Sequence, residues 1–447
     1  MFKVDRLRAS WGLTLCMILL YVTAGAMLLE SSAAAQQGTS QDSGERLKFA
    51  LILTRHGLRS PSWSNERLDK FSKDPWPKWG VDPGMLTPHG RELMRFFGQY
   101  YRASFAERSL LSSSGCSDAK DVYVRADTNE RTMETGRGIL DGMLPGCGAE
   151  VHSLGEDVQD PLFHSAGKLG HPDGRHAVTA VAGRIGGSPA ALFSLYDLEL
   201  NAMRNVLLGC AEDNCAVADK TDLLGLASTL KEGEGDHLVD MQGPINAGAT
   251  FAETLQLEYL DGMPQVGWGR INEQTLRSLM AIHSAASDIL QRTPYMAQVQ
   301  GSNLLVHILR TFEQAELQKP VTGAIGAPGD KVVILVGHDA NIANVAALLD
   351  IHWLVDGYQR DDAAPGGALV FELWQRAGRE DAVRIYYQVQ TPTQMRSTLP
   401  LSLAAPPAKA AVFVPQCSHA ENDSPCDLSG FEHVINAVTD PMFVEQR

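Results

Sequence analysis

The 447-residue sequence contains no Cys-x-x-Cys pair and no close Cys/His cluster, so the usual framework of a structural metal site is missing. It has no G-x-S-x-G nucleophile elbow. The one glycine-rich stretch with a lysine, "GAIGAPGDK", lacks the Gly-Lys-Ser/Thr ending of a nucleotide P-loop. His171 and His176 in "HPDGRH" sit among Pro and Gly, which favours a surface turn over a ligand pair. Positive charge is scarce: 38 Lys and Arg stand against 53 Asp and Glu, a net charge of −15. A chain that acidic is a poor partner for nucleic acid or an anionic membrane surface. There is no internal repeat, no low-complexity tract after the N-terminal segment, and no apolar run beyond Leu29 long enough to span a bilayer.

What is present begins with an export signal. Lys3, Arg6 and Arg8 precede an apolar segment from Trp11 to Leu29, and "SSAAAQQ" supplies small residues for cleavage near Ala35. Residues 1–35 are therefore expected to be a signal peptide, with a periplasmic or secreted mature chain. Retention as an anchor is the alternative. Cys16 leaves with the signal, and six cysteines remain, an even number in an exported protein. Short loops close readily, so the spacing pairs Cys210 with Cys215 and Cys417 with Cys426, leaving Cys116 to Cys147. Six cysteines allow about fifteen connectivities, of which this is one.

Three segments share one pattern. "LKFALILTRHGLRSP" is an apolar strand that runs into Arg55, His56 and Arg59. "DVYVRADTNERTMETG" gives a strand over Val122–Val124, a polar turn at Asp127–Asn129 and a helix carrying Arg131. "KVVILVGHDANIANVAALL" gives a strand over Val332–Val336, a turn at Gly337, His338 and Asp339, and a helix from about Ile342. Apolar runs alternating with helices predict an α/β fold, a mostly parallel sheet covered by helices on both faces. Ligands of such sheets bind beyond the carboxyl ends of the strands, so all three junctions fall on one rim. Thr87 and Pro88 open a helix with Leu93, Phe96, Phe97, Tyr100 and Tyr101 on one apolar face. Further strands are expected at "GALVFELW" and "VRIYYQVQ". Over residues 165–300 the strand signal fades. Residues 36–164 and 301–447 are assigned to the α/β catalytic domain, and 165–300 to a mainly helical insertion over the cleft.

Three arginines and two histidines around one point suit a phosphate dianion, because each guanidinium offers a planar fork of donors. A histidine among them can take the phosphoryl group on a ring nitrogen. An alkoxide leaving group then needs a proton, and Asp339 is the carboxylic acid at that junction. Cations nearby lower its pKa and a bound dianion raises it, which predicts an acid optimum.

These residues resemble the histidine acid phosphatases, the branch with bacterial phytases and periplasmic glucose-1-phosphatases. "RHGLRSP" resembles the R-H-G-x-R-x-P signature, "GHDAN" the His-Asp motif, and "ADTNERT" the segment with a further phosphate-binding arginine. The likeness continues through "LTPHGRELM", "GMPQVGWGRI", "PGGALVFELW" and "QTPTQMRS". It implies that His56 is the nucleophile and Asp339 the proton donor, with Arg55, Arg59, Arg131 and His338 holding the phosphate. It also implies that Ser62, Asp127 and Glu253 line the substrate pocket, that no metal or cofactor is needed, and that the partner is a small-molecule phosphate monoester. A monomer is expected. Ala340, after the His-Asp pair, stands where phytases often carry Thr and glucose-1-phosphatases Ser, so phytate and sugar phosphates both stay open. A phosphate-ligand binding protein without turnover and a phosphomutase are the competing classes.

Overall fold

The computed structural model describes residues 44–155, 158–210, 219–421 and 423–446. The expected signal peptide and Cys215 lie outside them. The strands are β1 (Glu45–Arg55), β2 (Val122–Ala126), β3 (Val151–His152), β4 (Thr229–Glu232), β5 (Val239–Gln242), β6 (Val332–Gly337), β7 (Ala368–Arg376), β8 (Ala382–Val389), β9 (Ala408–Ala411) and β10 (Cys426–Asp427). Six helices position the site: α1 (Pro88–Glu107), α2 (Glu130–Met143), α3 (Pro244–Leu260), α4 (Glu273–Gln291), α5 (Pro294–Leu317) and α6 (Asp339–Leu348).

One sheet runs β10-β8-β7-β1-β6-β2-β3, with β9 added on β8. Strands β1, β6, β2 and β3 are parallel, and β1 continues through antiparallel β7 and β8. In β1, Ala50, Leu51, Ile52 and Leu53 are all fully buried. Successive strand side chains point to opposite faces, so both faces of the sheet are covered. Register places the three junctions at one level: Arg55 pairs with Gly337, and Ala126 with Val336. His56 N–H then donates to the Gly337 carbonyl at 2.9 Å, and Asp127 N–H to Val336 at 3.0 Å.

A second apolar core forms around Phe251 and Leu255 of α3, Leu279 and Ile282 of α4, and Trp76 from the loop before α1. Helix α5 serves both cores, giving Met296 and Val299 to this one and Leu304, Ile308 and Phe312 to the sheet. It runs unbroken across residue 300. The 165–300 stretch also holds the β4–β5 hairpin, which its weak strand signal did not announce. Helix α6 starts at Asp339, three residues earlier than its apolar pattern suggested. His338 is the extended residue before it, and its N–H donates to Asn341 Oδ1 at 2.8 Å. Thr87 caps α1 as expected, accepting from Gly90 N–H at 2.9 Å. Disulfides join Cys116 to Cys147 and Cys417 to Cys426. Cys210 is also disulfide-bonded, and the pairing expected for it falls on a residue that is not described. Among the described residues no helix is long and apolar enough to cross a membrane.

Helices α1 and α2 touch backbone to backbone. A Cβ on Gly98 would lie 2.0 Å from the Ile139 carbonyl, and one on Gly142 would lie 1.9 Å from that of Arg95. This contact sets where the first turn of α2, with Arg131, meets the end of β1. Gly98→Val should therefore destabilise the protein by about 1–3 kcal/mol or more through overpacking. The shift of the denaturant midpoint at constant m-value measures it.

Candidate active site

His56 follows the last residue of β1, and its backbone is pinned twice more by the loop before β7. Gly366 N–H donates to the His56 carbonyl, and Arg55 N–H to that of Gly367, each at 2.9 Å. The His56 ring is buried, with Nδ1 2.9 Å from the Gly57 carbonyl. A carbonyl only accepts, so Nδ1 carries the proton and Nε2 keeps its lone pair. Burial, followed by the positive charges of Arg55, Arg59 and Arg131, holds the imidazole pKa well below its ordinary value. That shift favours the neutral ring. That is the protonation state a nitrogen nucleophile requires.

Arg55 is 1% exposed. It donates to the Ala363 carbonyl at 2.8 Å, pairs with Glu253, and lies 3.3 Å from Asp339 Oδ2. Arg59 makes two bonds to Glu253, at 2.9 and 3.0 Å. Glu253 thus bridges two arginines and sets the plane of both. The Arg131 side chain makes no hydrogen bond or ion pair among the described residues. Burial and then the neighbouring Arg59 push its guanidinium down to about 10, the mark of a cation without a counterion. The Nε donors of Arg55, Arg59 and Arg131 are all buried without a partner among the described residues. Buried donors of this kind ask for an acceptor. Thr135 couples the parts, accepting from Gly57 N–H at 2.7 Å and donating to the Arg131 carbonyl at 2.6 Å.

His338 Nε2 donates to Asp127 Oδ2 at 2.8 Å, and its ring centroid lies 5.7 Å from that of His56. Asp127 is fully buried beneath His338 and accepts on the same oxygen from His164 Nε2 at 3.0 Å. Burial opposes its ionisation, yet these two donors hold its carboxyl far below the usual range. Asp339 opens α6, with Oδ1 accepting from Ala340 N–H at 2.8 Å and the side chain 38% exposed to the cleft. Burial raises its pKa, and Arg55 more than offsets that, so it sits below the ordinary carboxyl value. The cleft holds ≈ 340 Å³ and is lined by His56, Arg59, Arg131, His164, His338 and Asp339.

The structure brings Arg55, His56, Arg59, Arg131, His338, Asp339 and Glu253 together. Asp127 underlies the group, and Ser62 is exposed on the loop beyond Arg59. His164 and Asp236 line the cleft although the sequence singled out neither. His164 follows a turn in "DPLFHSAG" and Asp236 a glycine-rich stretch, so no strand end or helical spacing marked them. Asp127, His164 and His338 bring an oxygen and two nitrogens within 4.8 Å of one another. Each nitrogen faces the carboxylate as an N–H donor, so the group is a hydrogen-bonded one. A neutral imidazole with a free Nε2, ringed by guanidinium donors and an acid, is built for transfer of a tetrahedral anion.

The chain matches the histidine phosphatase superfamily (branch 2) over residues 46–168 and 241–388. It is 32% identical to Phytase AppA of Escherichia coli (strain K12) over 406 residues, covering 89% of this chain and 93% of that protein. It is 28% identical to the glucose-1-phosphatase of Salmonella typhimurium, covering 94% and 98% of the two chains. The solved structure of Hafnia alvei phytase in complex with tartrate superposes with a TM-score of 0.83 at 32% identity, over 90% of this chain and 100% of that one.

Glu253 carries a pH dependence. Burial alone would raise its carboxyl, but Arg59 and Arg55 hold it well below the ordinary 4.5. The folded-state pKa is the lower one, so Glu253 stabilises the protein above about pH 4.5, and this is lost as the pH falls below that value. Glu253→Gln should cost about 3 kcal/mol near pH 7, the low end for an orphaned buried charge, because Asp339 still faces Arg55. Denaturant midpoints near pH 7 and pH 3 should show that gap narrowing in acid.

Proposed function

The chain belongs to the histidine phosphatase superfamily (branch 2), and on that footing we propose that it hydrolyses phosphate esters of polyols through a phosphohistidine on His56. It is a phosphoric monoester hydrolase of the histidine acid phosphatase type. The observation that carries the proposal is His56 with its proton tied to Gly57 and three unpartnered arginine Nε donors in the same cluster. His56 Nε2 attacks phosphorus, and the bond to the leaving oxygen breaks as Asp339 gives that oxygen its proton. Water then attacks the phosphohistidine. Asp339 takes a proton from the water, and the P–N electron pair returns to Nε2. Arg55, Arg59, Arg131 and His338 hold the phosphoryl oxygens and spread their charge in the transition state. The arriving dianion raises the depressed Asp339 pKa, so the acid is armed by its own substrate, and best at low pH.

The N-terminal segment and the Cys116–Cys147 and Cys417–Cys426 disulfides support a periplasmic or secreted location for the mature chain.

His56→Ala should abolish turnover of p-nitrophenyl phosphate near pH 5, and with it the acid-labile phosphoenzyme trapped by quenching, in the presence of EDTA. A His56→Ala enzyme at full activity would remove His56 as nucleophile. Asp339→Ala should lower kcat on glucose 1-phosphate and phytate by about 10²–10⁴-fold and on p-nitrophenyl phosphate far less, since that leaving group scarcely needs a proton. Equal losses on all three esters would count against Asp339 as the acid.

A further inference from the structure

His338 shares its carboxylate with a second histidine, and the hydrogen bonds define the charge of that histidine. His164 Nε2 lies 3.0 Å from Asp127 Oδ2, and its Nδ1 lies 2.9 Å from Asp236 Oδ2. Ionised carboxylate oxygens only accept, so both ring nitrogens of His164 are donors, and the ring is an imidazolium. The clamp is built from several directions. Asp236 also accepts from Gly167 N–H at 3.1 Å and from Gln159, and Gln300 holds its backbone carbonyl. His164 N–H is fixed to the Asp160 carbonyl at 2.8 Å, and the Asp160 carboxylate is itself paired with Arg125 at 2.6 Å. A chain His338–Asp127–His164–Asp236 therefore runs from the phosphate site to the rim of the cleft.

The groups facing His338 are Asp127 at the end of β2, His164 from the loop after β3, Arg131 on α2, His56 at the end of β1 and Asp339 on its own helix. His56 is neutral, and Arg131 opposes a charge on His338. Asp127 and Asp339 favour that charge; Asp127 is the one hydrogen-bonded to the ring, and its Oδ2 is already claimed by a cation. We propose that His164 is a positioning residue for the reaction: clamped as an imidazolium between Asp127 and Asp236, it fixes Asp127 as the acceptor of the His338 Nε2 proton and keeps His338 uncharged until phosphate enters. His338 then gains its second proton together with the dianion, instead of repelling Arg131 in the empty cleft. The pKa values agree in direction: burial works against the charge on both rings, yet Asp127 and Asp236 lift His164 to about 9, whereas His338 is lowered.

His164 has this role only through the phosphate-site assignment above, and the two are separable by experiment. The test is histidine side-chain NMR on the full-length, EDTA-treated protein labelled with ¹⁵N-histidine, with His164→Gln, Asp236→Asn and His338→Gln variants for assignment and comparison. His164 should hold protons on both nitrogens through pH 7. His338 should be neutral there with its proton on Nε2. In His164→Gln the His338 midpoint should rise by about one pH unit, as the Asp127 charge then acts on it alone. Asp236→Asn should move it the same way, and inhibition by inorganic phosphate should persist to correspondingly higher pH in both. A neutral His164 at pH 6.5 in the wild-type protein overturns the proposal whether or not a variant folds, and so does a His338 midpoint unmoved in both variants. Absence of a phosphohistidine during turnover would sink the His56 assignment and leave these resonances unchanged.

Discussion

The site depends on how a guanidinium is kept inside the protein. Arg55 ends the central strand with 1% of its side chain exposed, and removing such a charge from water costs several kcal/mol unless partners replace the solvent. Two carboxylates do so, Glu253 from the middle of α3 and Asp339 from the first turn of α6. They arrive from the helical region and from the sheet's own crossover helix. One ion-pair cluster therefore joins both parts of the molecule at the floor of the cleft. Because Glu253 also holds Arg59, the orientation of two guanidinium forks is fixed by a single carboxylate.

That arrangement divides the charge by task. Arg55 is largely neutralised within the protein and serves as a scaffold with its Nε donor left over. Arg131 has no counterion among the described residues and carries the unspent positive charge. His56 is discharged by the company it keeps, since three arginines and burial disfavour an imidazolium, and its nucleophilic lone pair follows directly. Asp339 pays the opposite penalty: Arg55 makes it a weaker proton donor in the empty site than a bound dianion will make it. An acid working range is thus the expected consequence of packing an acid beside the cations of the cleft.

Much of this was legible in the chain. The three strand-to-helix junctions carry six of the polar groups, and their apolar runs are long enough to identify the parallel half of the sheet. The cap at Thr87 and two of the disulfide pairings also follow from local chemistry. The start of α6 was misplaced because its first turn is polar and functional, so apolar periodicity begins a turn late. The β4–β5 hairpin was not anticipated, because β4 is largely exposed and the buried alternation of β5, Val239 and Met241, is only four residues long. His164 and Asp236 escaped notice for a different reason. Each lies in an irregular loop, and their partnership depends on two loops separated by 72 residues folding against each other.

The sequence by itself determined which chemical groups stand at the ends of the strands, because a buried apolar run must stop where charge begins and parallel register then aligns the stops. It also determined the sign of the cluster, as arginine stays charged in any setting. Only the tertiary structure decided the protonation states and the pairing. Whether a histidine is a nucleophile, a neutral ligand or a fixed cation depends on which acceptors face its two nitrogens and on how much water remains. For His56, His338 and His164 those neighbours come from distant parts of the chain. Electrostatic energies fall with distance in space, and distance along the sequence does not measure that.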